Sequence, residues 1–502
     1  MNVDTFFKHY DIQENPFESE EARHDSIFAR IETVCHHPDY TKIRGNFQRP
    51  SSAIVFGERG AGKTAIRLQI EDDIREYNRS HPDRKCLAIA YDELNPVLDR
   101  LHRRVGGSAD DALSRIRLVD HIDGIMNAVV PGIVDQILGD SRSEPVLDVD
   151  GSTAKRFRQL DRSAKRDFMM LQICYDRPEE ADLRTGQLRN MIRGGARSTL
   201  PYLKWGAGAA AVLTIGLALY FLIDEPEAMR WLWVAAIGAL AVLTVGLGAR
   251  LAWLWWKFDR LAGDLSKNLR VMARPRMSFR KSLTAMRAED VLTGDLPRGD
   301  GDDQRYAMIG RLQHIIRPLG YQSVIVLFDR IDEPSLVNGE PKRMQSIVWP
   351  MLNSKFLQQE RFAVKMLLPL DLKHELFRET GEFFREARLD KQNLVERLTW
   401  SGATLYDICT TRLIACRPEG AETMSLTDLF EDEVRHQDLI DALDQLQQPR
   451  DAFKFMYQVI QEHCSAIPEE TPQWKIPRLV LDNVRKQQVE RMGNMLRGVR
   501  PA

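Results

Sequence analysis

The sequence predicts an α/β fold whose parallel sheet is interrupted along the chain by a pair of long apolar helices. Two observations lead to this prediction. Four short apolar runs have the composition of strands buried on both faces of a parallel sheet, and the first leads into a glycine-rich segment and a helix. Between the second and third runs stand two uncharged stretches, each long enough to cross a lipid bilayer.

The composition excludes several classes of protein. Of 502 residues, 43% are hydrophobic and 28% are charged, so the chain can build a core and wholesale disorder is excluded. A formal net charge of -2 gives no sign of a dedicated nucleic-acid-binding protein. The six cysteines include no C-x-x-C pair, which argues against a disulfide scaffold or zinc knuckle and fits a reducing compartment. The first residues lack a basic segment followed by an apolar one, so we expect no signal peptide.

The four predicted strands are short and strongly apolar. They cover residues 53–56, 87–91, 323–328 and 362–368. After the first strand, Ile66, Ile70 and Ile74 recur at helical spacing, which predicts an amphipathic helix. Because ligands of such sheets bind outside the carboxyl ends of the strands, we expect a binding site at that edge.

The segment between the first strand and this helix has the pattern G-x-x-x-x-G-K-[ST]. It consists of Gly57, Glu58, Arg59, Gly60, Ala61, Gly62, Lys63 and Thr64. Glycines let backbone N–H groups turn towards phosphate oxygens, and the start of a helix attracts an anion. We expect Lys63 to reach the β- and γ-phosphates of a nucleotide and the Thr64 hydroxyl to bind Mg²⁺. The alternative is a glycine-rich turn that holds no ligand.

A carboxylate that completes such a site is expected at the end of the third strand. Residues 323–328 run directly into Asp329, which is placed to hold Mg²⁺ through water. Asp332 or Glu333, in the turn that follows, is placed to position and deprotonate an attacking water. The alternative is a buried strand that ends in a solvated acidic turn, but the glycine-rich motif favours the functional interpretation.

The two uncharged stretches predict a helical hairpin in a membrane. Residues 205–223 and 231–249 are each 19 residues long and are joined by seven residues, so the helices must be antiparallel neighbours. Tryptophans near their ends match the aromatic belts of membrane proteins. We expect six glycines to allow close helix contact, namely Gly206, Gly208, Gly216, Gly238, Gly246 and Gly248. The alternative is a buried hairpin in a soluble core, which rarely lacks charge over two such lengths.

The charges that flank the hairpin predict its orientation. Residues 184–204 and 250–281 are rich in Arg and Lys, whereas the loop 224–230 has three acids and one arginine. The positive-inside rule therefore places both flanks in the cytoplasm and the loop outside. The basic stretch from Arg270 to Lys281 is interpreted as a topology signal, a surface for anionic lipid or a nucleic-acid contact.

With these elements in place, the chain resembles the KAP-type P-loop NTPases, which carry transmembrane helices in this same interval, and more broadly the AAA+/STAND group of additional-strand NTPases. The similarity extends over about residues 15–465 and includes Asn15-Pro16-Phe17 ahead of the loop. The segment from Leu398 is similar to the start of a helical lid, and Pro449-Arg450 resembles a sensor-2 helix whose arginine touches the nucleotide. The resemblance implies an ATP- and Mg²⁺-dependent homo-oligomer of the bacterial inner membrane, with an effector protein as partner, in anti-phage defence or stress response.

One position departs from that group and leaves two functions open. The aspartate at the end of the third strand is usually followed there by an acidic residue, whereas Arg330 follows Asp329 here. The first function is a membrane-anchored, cytoplasm-facing ATPase that couples ATP binding and hydrolysis to assembly or partner switching. The second, which Arg330 favours, is a nucleotide-dependent platform with little turnover that recruits nucleic acid or an effector protein to the membrane. A transporter is disfavoured, because two spans without an intramembrane acid offer no substrate path.

The sequence divides into seven segments. Residues 51–110 and 305–372 are expected to form the two halves of the nucleotide-binding core, and residues 201–258 the membrane hairpin. The other four are an N-terminal segment, a helical insertion, a basic juxtamembrane segment with a loop, and a helical lid or C-terminal domain, at residues 1–50, 111–200, 259–304 and 373–502.

Overall fold

A five-stranded parallel sheet forms the centre of the molecule. The computed structural model describes residues 1–18, 22–31, 35–149, 151–192, 198–224 and 230–496. The strands are β1 Ala53–Gly57, β2 Lys85–Tyr91, β3 Tyr321–Phe328, β4 Phe362–Pro369 and β5 Asn393–Val395. They lie in the order β2-β3-β4-β1-β5, and every neighbouring pair is parallel. All five carboxyl ends therefore meet at one edge of the sheet.

The four strands predicted from the sequence are confirmed, and a fifth was missed. Strands β1 and β4 are buried along their whole length, which explains their continuous apolar composition. Strand β5 pairs with β1 and lies within residues 373–502, where we expected only helices. Its three residues, Asn393 to Val395, are too few to show a periodic pattern, so only their pairing with β1 identifies them as a strand.

The chain before the sheet forms three short helices, and a long helix follows the glycine-rich loop. The three are α1 Val3–His9, α2 Ser26–Arg30 and α3 Tyr40–Arg44. The fourth helix, α4 Lys63–Ser80, buries Ile66, Ile70 and Ile74 as their spacing predicts.

A helical insertion separates β2 from β3. Before the hairpin it contains α5 Asn95–Val105, α6 Ala109–Leu113, α7 Leu118–Leu138, α8 Thr153–Gln159, α9 Arg162–Tyr175 and α10 Ala181–Ile192. After the hairpin it contains α13 Arg276–Thr284, α14 Ala288–Thr293 and α15 Asp302–Ile316. Helix α7 packs against β2 and α15 packs against β3, so the insertion shares one apolar core with the sheet. The helical prediction for residues 111–200 is confirmed over their described part, and α13 and α14 lie in residues 259–304, for which no helix was predicted.

Two helices are long and apolar enough to cross a membrane. They are α11 Leu200–Asp224 and α12 Arg230–Asn268, and their mean hydropathy reaches 2.1. Each contains one of the two predicted uncharged stretches. Of the residues used to predict orientation, Arg193, Arg197 and the loop residues 225–229 lie outside the described part of the chain.

The six glycines of the hairpin do not make the contact between α11 and α12. A Cβ atom placed on any of them would meet open space, so the prediction of glycine-mediated contact is wrong. The less exposed positions of α11 include five small residues three and four apart, Ala207, Ala210, Ala211, Thr214 and Ala218, together with Leu203, Leu217 and Phe221. The Thr214 hydroxyl lies 3.4 Å from that of Thr244 in α12. The direction in which each side chain points around the helix axis decides which small residues face the partner helix. The composition of the stretch does not contain this information.

Helix α12 continues beyond its apolar stretch into the soluble core. Its last turns bury Phe258, Leu261, Ala262 and Leu265 in the same apolar core that contains the sheet. Helix α12 therefore runs from the hairpin into the core, and Leu200 at the start of α11 belongs to the same core.

The helices after β3 complete the fold. They are α16 Pro341–Val348, α17 Ser354–Leu357, α18 Asp371–Leu376, α19 Gly381–Ala387, α20 Gly402–Ala415, α21 His436–Asp444, α22 Pro449–Ala466 and α23 Arg478–Leu496. Helices α20 to α23 form a bundle, called the lid bundle below, around a second apolar core. Phe6 and Phe7 of α1 belong to that core, so the N-terminal segment is attached to the lid bundle.

Candidate functional site

A cavity of about 390 Å³ lies at the carboxyl edge of the sheet, between the N-terminal segment and the lid bundle. Five residues of the glycine-rich loop line it, namely Arg59, Gly60, Gly62, Lys63 and Thr64. So do the predicted Asp329, Asp332, Glu333 and Arg450. The fold therefore brings most of the predicted site residues to one cavity. The predicted Gly57, Glu58 and Ala61 lie in the loop but do not line the cavity.

Two glycines allow the loop to turn tightly against the lid bundle. Gly60 has φ +90° and Gly62 has φ +87°, in the left-handed region that favours glycine. A Cβ atom on Gly60 would lie 2.8 Å from the Cβ of Arg450, and one on Gly62 would lie 3.3 Å from Cζ2 of Trp400. A side chain at Gly60 would thus be strained and would displace Arg450.

The start of α4 and the Lys63 ammonium make this part of the cavity electropositive. Helix α4 begins at Lys63 without a side-chain cap, so the N–H groups of its first turn are available to an anion. The Lys63 Nζ donates hydrogen bonds to the carbonyl oxygens of Gly57 and Glu58, both at 2.8 Å. Burial lowers the pKa of Lys63, and Asp329 partly opposes that shift. A negatively charged ligand in the cavity would raise the pKa of Lys63 again and so favour its protonated form.

Asp329 directly follows β3 and is almost wholly buried, with 1% of its surface exposed. The Thr64 hydroxyl donates a hydrogen bond of 2.8 Å to its Oδ2 atom. The nearest arginine nitrogen, Nε of Arg67, is 3.8 Å away, and Arg67 also pairs with Glu71 at 2.7 Å and Asp92 at 3.3 Å. Burial raises the pKa of Asp329, and the bond from Thr64 opposes the shift. The two residues predicted to share one metal ion are thus in direct contact.

Both candidates for the general base are engaged in ion pairs. The Glu333 carboxylate pairs with Arg330, which has φ +61° and so occupies a conformation unusual for a side chain with a Cβ. The Asp332 carboxylate lies 3.2 Å from Nε of Arg59. Glu333 is the more accessible of the two, with 45% of its side chain exposed against 18% for Asp332.

Several loop residues attach to the lid bundle and the segment before it rather than to the cavity. The Glu58 carboxylate accepts hydrogen bonds from Arg397 at 2.7 Å and from Gln448 at 2.6 Å. The Trp400 indole N–H donates to the Ala61 carbonyl oxygen at 2.8 Å. These contacts couple the position of the lid bundle to the shape of the loop, and they join residues too far apart in sequence to be recognised as a group.

Arg450 lies beside the loop at the start of α22. Its backbone N–H donates to the Gly60 carbonyl oxygen at 3.4 Å, and its side chain lines the cavity. Arg59, Lys63 and Arg450 are three of the six cationic side chains that line the cavity, and the others are Arg23, Arg330 and Arg412. The lid-bundle arginine predicted to touch a nucleotide is therefore close to the predicted phosphate loop.

The N-terminal segment contributes a wall of the cavity that the sequence did not predict. Arg412 of α20, only 2% exposed, donates to the Pro16 carbonyl oxygen at 2.6 Å and to the Asp25 carboxylate at 2.5 Å. This clamp holds the segment against the lid bundle. Apolar side chains from both parts line the cavity, namely Phe28, Ile31, Ile408 and Phe453. Single arginines and apolar residues have no signal in the sequence that would have identified this wall.

No group of three or more His, Cys, Asp or Glu side chains in the described part of the chain is arranged to hold a metal ion. In comparisons with known proteins, no protein-family model matches this chain, and neither the curated proteins nor the solved structures give a significant match.

Proposed function

We propose that this protein is a membrane-anchored P-loop ATPase whose nucleotide site is the cavity at the carboxyl edge of the sheet. The contact between Thr64 and Asp329 carries the proposal. The hydroxyl of the glycine-rich motif and the acid that ends a buried strand are 265 residues apart, yet they meet beside the electropositive start of α4. Such a hydroxyl–carboxylate pair next to a phosphate loop is what P-loop NTPases use for Mg²⁺.

The order of the strands supports the proposal. Strand β4 separates β1, which bears the loop, from β3, which bears Asp329. A strand inserted at this position is the feature after which the additional-strand NTPases are named. This likeness concerns the fold, and fold by itself does not establish a reaction.

In the proposed reaction, the loop and Lys63 bind the phosphates and orient the γ-phosphoryl group. The backbone N–H groups of the loop and of the first turn of α4 donate to phosphate oxygens, and the Lys63 ammonium offsets their negative charge. Thr64 and Asp329 would hold Mg²⁺, which would neutralise charge on the β- and γ-phosphates. The two residues fit this ion because both supply oxygen ligands.

The hydrolytic step requires a base. A water oxygen forms a bond to the γ-phosphorus while the bond to the bridging oxygen breaks, and the products are ADP and inorganic phosphate. Glu333 or Asp332 accepts the proton of the water. Arg450 and Arg59 would offset the charge that develops on the transferred group. For Glu333 to act, its ion pair with Arg330 must open.

The remaining features of the cavity fit a nucleotide. The apolar wall, formed by residues such as Phe28 and Phe453, suits the faces of a base. The two long apolar helices would anchor the chain in the membrane, with the sheet and lid bundle on the basic, cytoplasmic side.

The experiment that tests the proposal measures nucleotide binding and phosphate release by the protein in lipid nanodiscs. We expect Lys63→Ala to reduce hydrolysis by about 100-fold or more and to weaken ATP binding, because the main phosphate-binding cation is lost. Asp329→Ala should abolish hydrolysis, whereas Glu333→Gln should abolish hydrolysis and retain binding if Glu333 is the base. Asp332→Asn tests the other candidate in the same way.

The control is Lys355→Ala, which removes a lysine from an exposed position outside the cavity. It should leave binding and turnover unchanged. If wild-type protein binds no nucleotide, or if Lys63→Ala binds as well as wild type, the proposal fails.

A second function, a nucleotide-dependent platform with little turnover, is favoured by the ion pairs of the two candidate bases. A platform would bind ATP through Lys63 and release no phosphate above the level of Lys63→Ala. It would recruit an effector protein or nucleic acid to the membrane in the nucleotide-bound form only. Rapid turnover by wild-type protein would exclude this alternative.

A further inference from the structure

The basic residues around the hairpin form two groups with different surroundings. The first group belongs to the stretch from Arg270 to Lys281 and is held by protein groups. Arg270 donates to Asp120 at 2.9 Å, and the buried Arg274 donates to the Ile173 carbonyl oxygen at 2.5 Å. Arg276 and Arg280 both pair with Asp259, and Lys281 lies 3.2 Å from Asp182. Interpreting the whole stretch as a lipid surface was therefore wrong.

The second group consists of three basic side chains that lie over tryptophan rings, at the point where the hairpin enters the soluble core. The Lys257 Nζ lies 4.6 Å from the centre of the Trp253 ring, and the Arg260 guanidinium lies 5.6 Å from that of Trp256. The Lys204 Nζ, at the start of α11, lies 5.7 Å from the centre of the Trp255 ring, and the Arg280 guanidinium of the first group lies 4.5 Å from the same centre. We call the three tryptophans together with Lys204, Lys257 and Arg260 the tryptophan collar. Its three tryptophans are 40% to 57% exposed.

At this level α12 has two distinct faces. Phe258, Leu261 and Leu265 point into the core, whereas Trp253, Trp256, Lys257 and Arg260 of the collar are spaced three and four residues apart on an outer face. The outer face begins four residues after the uncharged stretch ends at Ala249, which is about 6 Å along the helix. That distance places Trp253 in the headgroup layer when the stretch spans the hydrocarbon, and Lys257 and Arg260 lie one and two turns further along the helix.

The collar has the chemistry of a surface for anionic lipid headgroups. No carboxylate in the described part of the chain pairs with Lys204, Lys257 or Arg260, so their N–H groups are available for phosphate oxygens. Indole rings place an apolar body against acyl chains and an N–H donor against the headgroups. A cation over an indole keeps its hydrogen-bond donors while the ring positions it. The three unpaired cations favour a negatively charged headgroup over a zwitterionic one.

We propose that the tryptophan collar binds the headgroup phosphates of anionic phospholipids in the leaflet that faces the soluble core. This inference goes beyond nucleotide hydrolysis and rests only on the membrane anchoring proposed above. The bound lipid would fix the depth at which α12 leaves the membrane, and α12 is continuous with the core that contains the sheet.

The test uses the full chain purified in a neutral detergent and mixed with equal amounts of phosphatidylglycerol and phosphatidylcholine. Native mass spectrometry counts the lipids that remain bound. We expect wild type to retain phosphatidylglycerol over phosphatidylcholine by at least about fivefold, the factor expected from one basic residue at a lipid surface. The combined variant Lys204→Gln, Lys257→Gln and Arg260→Gln should lose most of this preference.

The matched control is Lys267→Gln, Arg276→Gln and Lys281→Gln, which removes the same charge from nearby positions outside the collar. It should keep the wild-type preference. Equal retention of both lipids by wild type, or an equal loss of preference in the two variants, would overturn the proposal.

A second measurement needs only the wild-type chain and so remains decisive if a variant does not fold. The protein is reconstituted in vesicles that contain brominated phosphatidylglycerol or, separately, brominated phosphatidylcholine at the same fraction. Tryptophan fluorescence should be quenched more by the anionic lipid, and equal quenching contradicts the proposal. If the chain does not float with vesicles of either composition, the membrane anchoring itself fails. If it floats equally well with both and shows no lipid preference, only the collar proposal fails.

Discussion

Two buried carboxylates in this protein, those of Asp123 and Asp329, differ in the charged and hydrogen-bonding groups that surround them. Asp123 of α7 is fully buried beside Arg305, which is also fully buried, with a nitrogen–oxygen distance of 3.3 Å. The Tyr175 hydroxyl donates a second bond to Asp123 at 2.8 Å. Asp329 is buried to nearly the same degree, but its partners are the Thr64 hydroxyl at 2.8 Å, the backbone N–H of Arg330, and a guanidinium at 3.8 Å that also pairs with Glu71 and Asp92.

The difference separates a structural charge from a candidate functional one. Asp123 is neutralised by a guanidinium of its own, so the helical insertion needs nothing further to keep it buried. Asp329 shares the Arg67 guanidinium with Glu71 and Asp92, so its charge is only partly offset, and a buried carboxylate of this kind is costly unless another positive charge joins it. A bound divalent cation would supply that charge, which is the chemistry proposed for this site.

The largest expected effect is a contrast in stability between Asp123→Asn and Asp329→Asn. Asp123→Asn leaves Arg305 buried without a counter-charge, so we expect it to lower the free energy of unfolding by about 3–5 kcal/mol. Asp329→Asn removes a charge that the protein offsets only in part and should change the free energy of unfolding by less than about 1 kcal/mol, while abolishing hydrolysis. Chemical denaturation of the two variants in the same detergent measures the contrast.

A paired substitution provides the control for that contrast. Asp123→Leu combined with Arg305→Met replaces both charges by apolar side chains and should recover much of the stability lost by Asp123→Asn. If Asp329→Asn is as destabilising as Asp123→Asn, the distinction drawn between the two carboxylates is wrong.

The next effect concerns His121, which lies on α7 two residues before Asp123. Its Nδ1 atom is 3.3 Å from the Tyr91 hydroxyl, and its ring meets Phe328, the residue before Asp329. Burial lowers the pKa of His121 from 6.5 to about 4. The unfolded chain therefore binds a proton between these values that the folded chain does not, so stability falls as pH decreases from 6.5 to 4.

The corresponding loss is about 3 kcal/mol over that pH range, taken from the size of the shift. His121→Gln should remove this part of the acid sensitivity, and thermal unfolding at pH 7 and pH 4.5 measures it. If wild type and His121→Gln lose the same stability on acidification, His121 is not the responsible group.

The smallest expected effect helps to distinguish the two proposed functions, an ATPase and a nucleotide-dependent platform with little turnover. Arg330 pairs with Glu333 and has φ +61°, a conformation that costs a non-glycine residue about 1 kcal/mol. Arg330→Gly relieves this strain, removes the ion pair and frees the Glu333 carboxylate. We expect phosphate release to rise a few-fold, with a change in stability below about 1 kcal/mol.

Arg330→Lys is the matched variant, because it keeps the positive charge next to Glu333. Its turnover should stay near that of wild type. A decrease in turnover with Arg330→Gly would mean that Arg330 assists hydrolysis instead of restraining Glu333.

The local patterns of the sequence determined a large part of this protein. Continuous apolar runs identified four strands, the spacing of Ile66, Ile70 and Ile74 identified α4, and two uncharged stretches identified the long apolar helices. The glycine-rich pattern located the loop, because positive φ angles at Gly60 and Gly62 are a property of the residues themselves. Such features depend on neighbours within a few positions, which a sequence records directly.

Only the tertiary structure decided the features that depend on distant residues. It brought Thr64 to Asp329, paired Arg330 with Glu333, and turned the hairpin glycines away from the helix contact. It also bound Arg270 and Arg274 inside the helical insertion, while Lys257 and Arg260 remained on the outer face of α12. Basic residues of the same type occur both inside the helical insertion and on the outer face of α12. Its role is set by whether the fold supplies it with a carboxylate, a carbonyl oxygen or an indole ring, and that depends on which distant segments pack beside it.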